Sequence, residues 1–256
     1  MPTDSPYTLT VVAVLCVLYV AGGFVKGAAS FGQPMVTVSL GALLLPVPSA
    51  IAVATIPAFA SNIFQAWTSR QAVGELKTYR LFYLLLALGL VAGLNVFAAL
   101  DQDTLQAVIG VFLAVFAVTQ IAGFHPPLKP PPHQSVLALT GLVSGLAAGT
   151  TSFVGFPSLP VLIAYRVERA AFALITSVMF FITMSLISGG LFLLGLFGRG
   201  ELLVGILCCL PSLLGQQIGV RLRNRLSVAR LRLVINVVLA AVGISLVLRA
   251  LEAGLV

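Results

Sequence analysis

The chain has 256 residues, of which 59% are hydrophobic and only 8% charged, with a mean hydropathy of +1.12. A soluble domain carries about 25% charged residues, and no polar stretch here is long enough to form one, which leaves a single membrane unit. The formal net charge of +7 does not point to nucleic acid, because the basic residues sit in short loops between apolar runs, where they hold those loops on the cytoplasmic side.

The N-terminus reads Met1-Pro2-Thr3-Asp4-Ser5, with no Lys or Arg ahead of the first apolar run. A secretory signal wants a basic n-region and a small-residue cleavage site, so residues from 8 onward are expected to form a retained membrane segment. Crossing a hydrocarbon core of roughly 30 Å takes about 20 apolar residues. Apolar runs cover 8–45, 49–68, 79–100, 104–123, 136–165, 170–197, 202–220 and 231–248, the first and fifth being broken. Between the fourth and fifth lies His125-Pro126-Pro127-Leu128-Lys129-Pro130-Pro131-Pro132-His133-Gln134. Proline cannot continue a helix, so this is an exposed connection. The expected division is a first transmembrane repeat over 1–124, a Pro-rich linker over 125–135 and a second repeat over 136–256. Cys16, Cys208 and Cys209 lie inside apolar runs and read as small packed hydrophobes. His125 and His133 are the only histidines, so no metal-ligand spacing exists and no cofactor is expected.

The two halves resemble each other. Gly23-x-x-x-Gly27-x-x-Ser30-Phe31 matches Gly145-x-x-x-Gly149-x-x-Ser152-Phe153 at an offset of 122, and Pro34 and Pro157 follow. Gly89-x-x-x-Gly93 matches Gly215-x-x-x-Gly219 at an offset of 126. Apolar helices often carry G-x-x-x-G for close packing, but two such pairs in order, with a shared Ser-Phe, indicate duplication.

Charge decides between topologies. If each broken run crosses once, six basic residues fall on one side and seven on the other. If each broken run enters and leaves on the same side, the cytoplasmic side gains Arg70, Lys77, Arg80, Lys129, Arg166, Arg169, Arg221, Arg223, Arg225, Arg230 and Arg232, leaving Arg199 and Arg249 outside. That bias is what the positive-inside rule predicts. The limbs of the run 136–165 would have about 15 residues each and reach roughly 22 Å, short of a full crossing. The fold class is therefore an all-α polytopic membrane protein of two inverted repeats, each a broken-helix hairpin plus three transmembrane helices, a design found in many secondary transporters.

Each hairpin break is rich in small residues: Gly27-Ala28-Ala29-Ser30-Phe31-Gly32-Gln33-Pro34, and Gly149-Thr150-Thr151-Ser152-Phe153-Val154-Gly155-Phe156-Pro157. Non-helical backbone at membrane depth is tolerated only where protein or a cavity satisfies it. Pro34 and Pro157 suit the first turn of a new helix, whose free N–H groups bind anions. Candidate substrate-binding residues are Lys26, Ser30, Phe31, Gly32, Gln33, Thr150, Thr151, Ser152, Phe153 and Gly155, meeting near the midplane. Ser61, Asn62 and Gln65 in the second run, and Thr176 in its counterpart, would complete the site; interhelical packing bonds explain these polar residues equally well. Lys26 is the only charge deep within an apolar run. An intramembrane charge is usually functional; the competing reading is a lysine snorkelling from near a helix end. No Asp or Glu lies inside any run, which disfavours proton coupling.

At these residues the sequence resembles the TauE/SafE sulfite-exporter family, the TSUP permeases. The resemblance is carried by the stretch from Gly23 to Pro34, by Gly141-Leu142-Val143-Ser144-Gly145 through Pro157 to Glu168-Arg169-Ala170-Ala171-Phe172, and by Leu210-Pro211 through Gly215 and Gly219 to Arg221-Leu222. It covers nearly the whole chain. It implies a multi-pass plasma-membrane permease exporting sulfite or an organosulfonate, with a small anion and the lipid bilayer as partners. The family commonly shows clustered glycines at the breaks, where this chain has Ala28-Ala29-Ser30-Phe31-Gly32 and Thr150-Thr151-Ser152-Phe153. An importer and a non-transporting subunit of a larger complex remain as alternatives, and the oligomeric state stays open, a homodimer included. An intramembrane enzyme is disfavoured, because the cysteines have no intramembrane histidine or acid to work with.

Overall fold

The structure is a computed structural model that describes residues 6–122, 128, 131–152, 155–223, 233, 237, 240–245, 247 and 248, apart from the side chains of 102, 103, 106, 120 and 121. The described part is all-helical: α1 Leu9–Ala29, α2 Gln33–Gly41, α3 Val47–Thr68, a 3-10 segment Arg70–Tyr79, α4 Arg80–Ala99, α5 Gln102–Ile121, α6 Gln134–Thr151, α7 Gly155–Ala164, α8 Arg169–Leu193 and α9 Arg199–Leu222. Among the described residues five helical stretches are long and apolar enough to cross a membrane: Leu9–Ala29, Val47–Thr68, Arg70–Ala99, Arg169–Leu193 and Arg199–Leu222. The chain is a polytopic membrane protein. Part of the last expected run lies outside the described residues, as do Lys129, Arg225, Arg230, Arg232 and Arg249.

Both broken runs reverse direction at a serine. α1 ends on Ser30 and α6 on Ser152, each in the left-handed region at φ 71° and 65°. Each serine N–H donates back over 2.7 Å, to the carbonyls of Lys26 and Ala148 respectively. This cap satisfies an end carbonyl and turns the chain sharply. Gly32, at φ 98°, completes the first reversal where a side chain would be strained. Pro34 then falls in the first turn of α2. In α7, Phe156 is extended, so the regular turns begin at Pro157.

The limbs of each hairpin are unequal. α1 and α6 have 21 and 18 residues, while α2 and α7 have 9 and 10. α1 is by itself long enough to cross, while the run 136–165, expected to give two limbs of about 15 residues, gives 18 in α6 and 10 in α7. The left-handed serines fall inside the small-residue breaks, a few residues past the middle of the run 8–45 and close to the middle of the run 136–165. α2 folds back along α1, with Gln33 and Thr37 over Gly22. Tyr7, just ahead of α1, donates to Glu201 Oε1 at 2.6 Å, and Ser49 at the start of α3 donates to the same oxygen at 3.3 Å. The chain thus returns to the level from which it entered. In the second run the His133 N–H donates to the Tyr165 hydroxyl at 3.2 Å, closing that hairpin at one level too.

The starts of α1, α3 and α9 therefore share one end of the molecule. At the other end, Thr68, Arg169 and Arg223 line one cavity, and Gln134 donates to the Thr78 carbonyl at 3.1 Å. Among the described residues this second end carries Arg70, Lys77, Arg80, Arg166, Arg169, Arg221 and Arg223, against Arg199 at the first. We call it the basic end.

Two glycine seams bind the halves together. α1 lies on α9: a Cβ at Gly23 would sit 2.1 Å from the Ser212 carbonyl oxygen, and one at Gly27 2.1 Å from that of Gln216. From the other side, a Cβ at Gly215 or Gly219 would meet the carbonyls of Val20 or Phe24 at 2.1 and 2.2 Å. α4 lies on α6 in the same way, Gly89 and Gly93 facing Leu142 and Leu146, Gly145 and Gly149 facing Leu86 and Leu90. Lipid tails are as apolar as leucine, so association in the bilayer depends on close van der Waals packing, which small residues permit. Each seam pairs a helix of one half with a helix of the other. Gly145→Ala and Gly219→Ala should each lower the thermal midpoint in detergent, by the equivalent of about 1–3 kcal/mol of overpacking. Gly189→Ala, with no neighbouring atom within 4 Å, should be neutral or stabilising by up to ~1 kcal/mol. An equal loss at all three positions would show that the seams are not what limits stability.

Candidate anion site

Lys26 sits on α1, one turn before the reversal, and is only 3% exposed. Its ammonium donates to Ser61 Oγ at 2.8 Å and to Asn62 Oδ1, both on α3. The Phe180 ring of α8 lies 6.0 Å away, at the limit of a cation–π contact. An ammonium has three N–H donors, and two neutral oxygens take two of them. Among the described residues no carboxylate neutralises it. A buried cation held by neutral acceptors keeps its charge available to a ligand, whereas a paired one does not.

A cavity of about 430 Å³ opens from the basic end, within the size range of small-ligand pockets. Lys26, Ser30 and Gln216 lie on its wall, together with Gln65, Arg169 and Arg223. Gln65 organises this wall. Its amide nitrogen donates to the carbonyls of Ser30 and Ala173 at 3.1 and 3.0 Å, and reaches Thr176 Oγ1 at 3.4 Å. One side chain thereby ties the first break to α8. Phe31 packs edge-on against Phe172, its ring centre 6.3 Å away.

Gln33, the first residue of α2, is 1% exposed, and neither atom of its carboxamide has a hydrogen-bond partner among the described residues. A buried unsatisfied polar group costs about 1–3 kcal/mol. An amide so placed has capacity for a ligand or a bridging water.

The second break is arranged differently. Thr150 donates to the Leu146 carbonyl at 3.0 Å and Thr151 to the Ala147 carbonyl at 2.7 Å, so both hydroxyls bond back into their own helix. Both residues line an apolar groove between α5 and α6, apart from the Lys26 cavity. Ser152 is 3% exposed and serves as the cap of α6. Gly155 lies against the methyl end of Met35, where a Cβ would be 2.2 Å away. Phe153 lies outside the described residues.

The two breaks lie toward opposite ends rather than side by side. Ser30 is at the level of Ala173 on α8 through Gln65. The Thr150 hydroxyl reaches the Gly93 carbonyl at 3.4 Å, and Leu94 packs on Gly190. Those two levels of α8 are roughly 25 Å apart at 1.5 Å per residue. What meets between the hairpins is Met35 and Gly155. The structure thus gathers Lys26, Ser30, Ser61, Asn62, Gln65 and Thr176 into one network, with Gln33 nearby on α2, and sets Thr150, Thr151 and Ser152 elsewhere.

Gln216 on α9 joins this network beyond the residues singled out from sequence. Its amide nitrogen reaches the Ser61 carbonyl at 3.4 Å, while its oxygen is buried without a partner among the described residues. Its signal in the sequence is a carboxamide pair, Gln216-Gln217, inside an apolar run and directly after Gly215. Ser212, one turn earlier, also has a buried hydroxyl with no partner among the described residues. Among the described residues no group of three or more His, Cys, Asp or Glu could hold a metal ion.

Searches of curated proteins and of solved structures return no significant match. The family model described as sulfite exporter TauE/SafE matches residues 14–246, a span that takes in both hairpins, both glycine seams and the whole Lys26 network. The chain belongs to the TauE/SafE sulfite-exporter family of membrane transporters.

Proposed function

We propose that this protein is a plasma-membrane permease, not an enzyme, and that it exports sulfite or an organosulfonate using Lys26 as the charge that binds the anion. The observation that carries this reading is the Lys26 ammonium, buried without a carboxylate partner, in a cavity that opens at the basic end. Basic loops mark the cytoplasmic side of a membrane protein. A cavity facing that side loads from the cytoplasm.

The energetics agree with export. The membrane potential supplies about 2.3 kcal/mol per charge per 100 mV to an anion leaving a negative-inside cell, so outward movement needs no coupling ion. The chemistry of the wall also suits an oxyanion. Lys26 supplies a donor on that wall, and further donors stand off it on α2, packed against α1 at Gly22: the Gln33 amide and the free backbone N–H groups of the helix start, with its dipole. Ser61, Asn62 and Gln65 then act as the supports that hold Lys26 and the first break in place. The second hairpin would contribute through Gly155 and its contact with Met35 rather than through its threonine hydroxyls.

The decisive experiment is efflux of sulfite and a panel of sulfonates from proteoliposomes under an imposed potential. An outward-driving potential should accelerate efflux of at least one of these anions. Lys26→Ala should reduce that flux at least about tenfold, which corresponds to a barrier change of ~1.4 kcal/mol, while the variant folds normally. If no anion in the panel moves at any potential or pH gradient, this substrate class is wrong. Asn62→Asp provides a second check. It keeps side-chain volume but places a carboxylate against the ammonium, so it should abolish anion flux without lowering the thermal midpoint. Retained flux in that variant would remove Lys26 from the path.

A further inference from the structure

We propose that Arg169 and Arg223 form a second anion-binding site at the mouth of the cavity, one that captures a small oxyanion before it reaches Lys26. The proposal rests on reading the cavity as the anion's way in. Arg169 opens α8 and Arg223 follows the last turn of α9, so the two guanidiniums come from different elements and converge on one cavity wall. Lys26 lies on the same wall, deeper between α1 and α3.

A topology anchor explains why positive charge stands at this end, and the exposed Arg169 fits it, but not how Arg223 is placed. An anchor needs only solvated charge. The Arg223 Nε is instead buried with no hydrogen-bond partner among the described residues, a placement that costs free energy. Burial, and then the neighbouring Arg169, hold the Arg223 guanidinium below its ordinary range. Two like charges facing one cavity repel each other until an anion sits between them. A planar guanidinium fork matches two oxygens of an oxyanion. Glu168 is the one carboxylate on this wall, and among the described residues it forms no ion pair with either arginine. It sets an upper limit on how tightly the mouth holds an anion, which suits a site that must release its ligand inward.

The test is calorimetric titration of the purified full-length protein with sulfite. Lys26→Gln removes the deeper site, so it should retain one weak sulfite-binding event. Adding Arg169→Gln and Arg223→Gln to that background should weaken the event at least tenfold. Glu168→Gln in the Lys26→Gln background should tighten it about threefold or more, and this variant keeps both arginines should the glutamine pair fail to fold. The proposal is overturned if Lys26→Gln binds no sulfite, if the arginine substitutions leave binding unchanged, or if Glu168→Gln has no effect. Failure of the export reading would look different: arginine-dependent binding would persist in a protein that moves no anion.

Discussion

Direct contact between helix backbones at the glycine seams is the constraint from which the rest of the architecture follows. Inside a bilayer there is no water to drive apolar faces together, so helices associate where their surfaces fit closely. At Gly23, Gly27, Gly215 and Gly219 the facing atoms are carbonyl oxygens and amide nitrogens of the partner helix. That leaves no room for even a methyl group. The seam between α1 and α9 holds α1 beside α3, and α3 presents Ser61 and Asn62 to Lys26. The buried charge is therefore positioned by glycines that never touch it.

The two halves share a backbone plan but divide the chemistry. Ser30 and Ser152 adopt the same left-handed conformation and return the same N–H bond over the same distance. The acceptors of those bonds are Lys26 and Ala148. The charge thus belongs to one hairpin alone. In the other, hydroxyls bond back into their own helix, and Ser144 meets Ser158 at 2.5 Å across α6 and α7. The first hairpin carries the buried charge, while the hydroxyls of the second bond to neighbouring protein atoms.

Much of this was legible from residue patterns. A lone lysine in an apolar run, a G-x-x-x-G repeated at matching positions, and Ser61 and Gln65 at helical spacing all find their place in the structure. The small-residue breaks marked where each run reverses, at Ser30 and Ser152, but not that the two reversals lie toward opposite ends, because a hydropathy pattern gives no register between segments far apart in sequence. Nor could the direction of Thr150 and Thr151 be read, because which face of α6 meets α4 and which meets α5 depends on partners far away in sequence. Arg169 and Arg223 were visible only as loop charges. Their convergence on one wall arises from packing α8 beside α3 and α9 beside α1.

The cross-paired seams also bear on how the molecule is made. α1 precedes α9 in the chain, yet the surface it fits belongs to α9, which is synthesised long after it. α4 waits in turn for α6, on the far side of the proline-rich stretch. During insertion each early helix holds a bare glycine face and, in the case of α1, a lysine whose acceptors on α3 arrive before its packing partner does. The seams therefore cannot close until α6 and α9 have entered the membrane, and the early helices wait there without their closest packing partners.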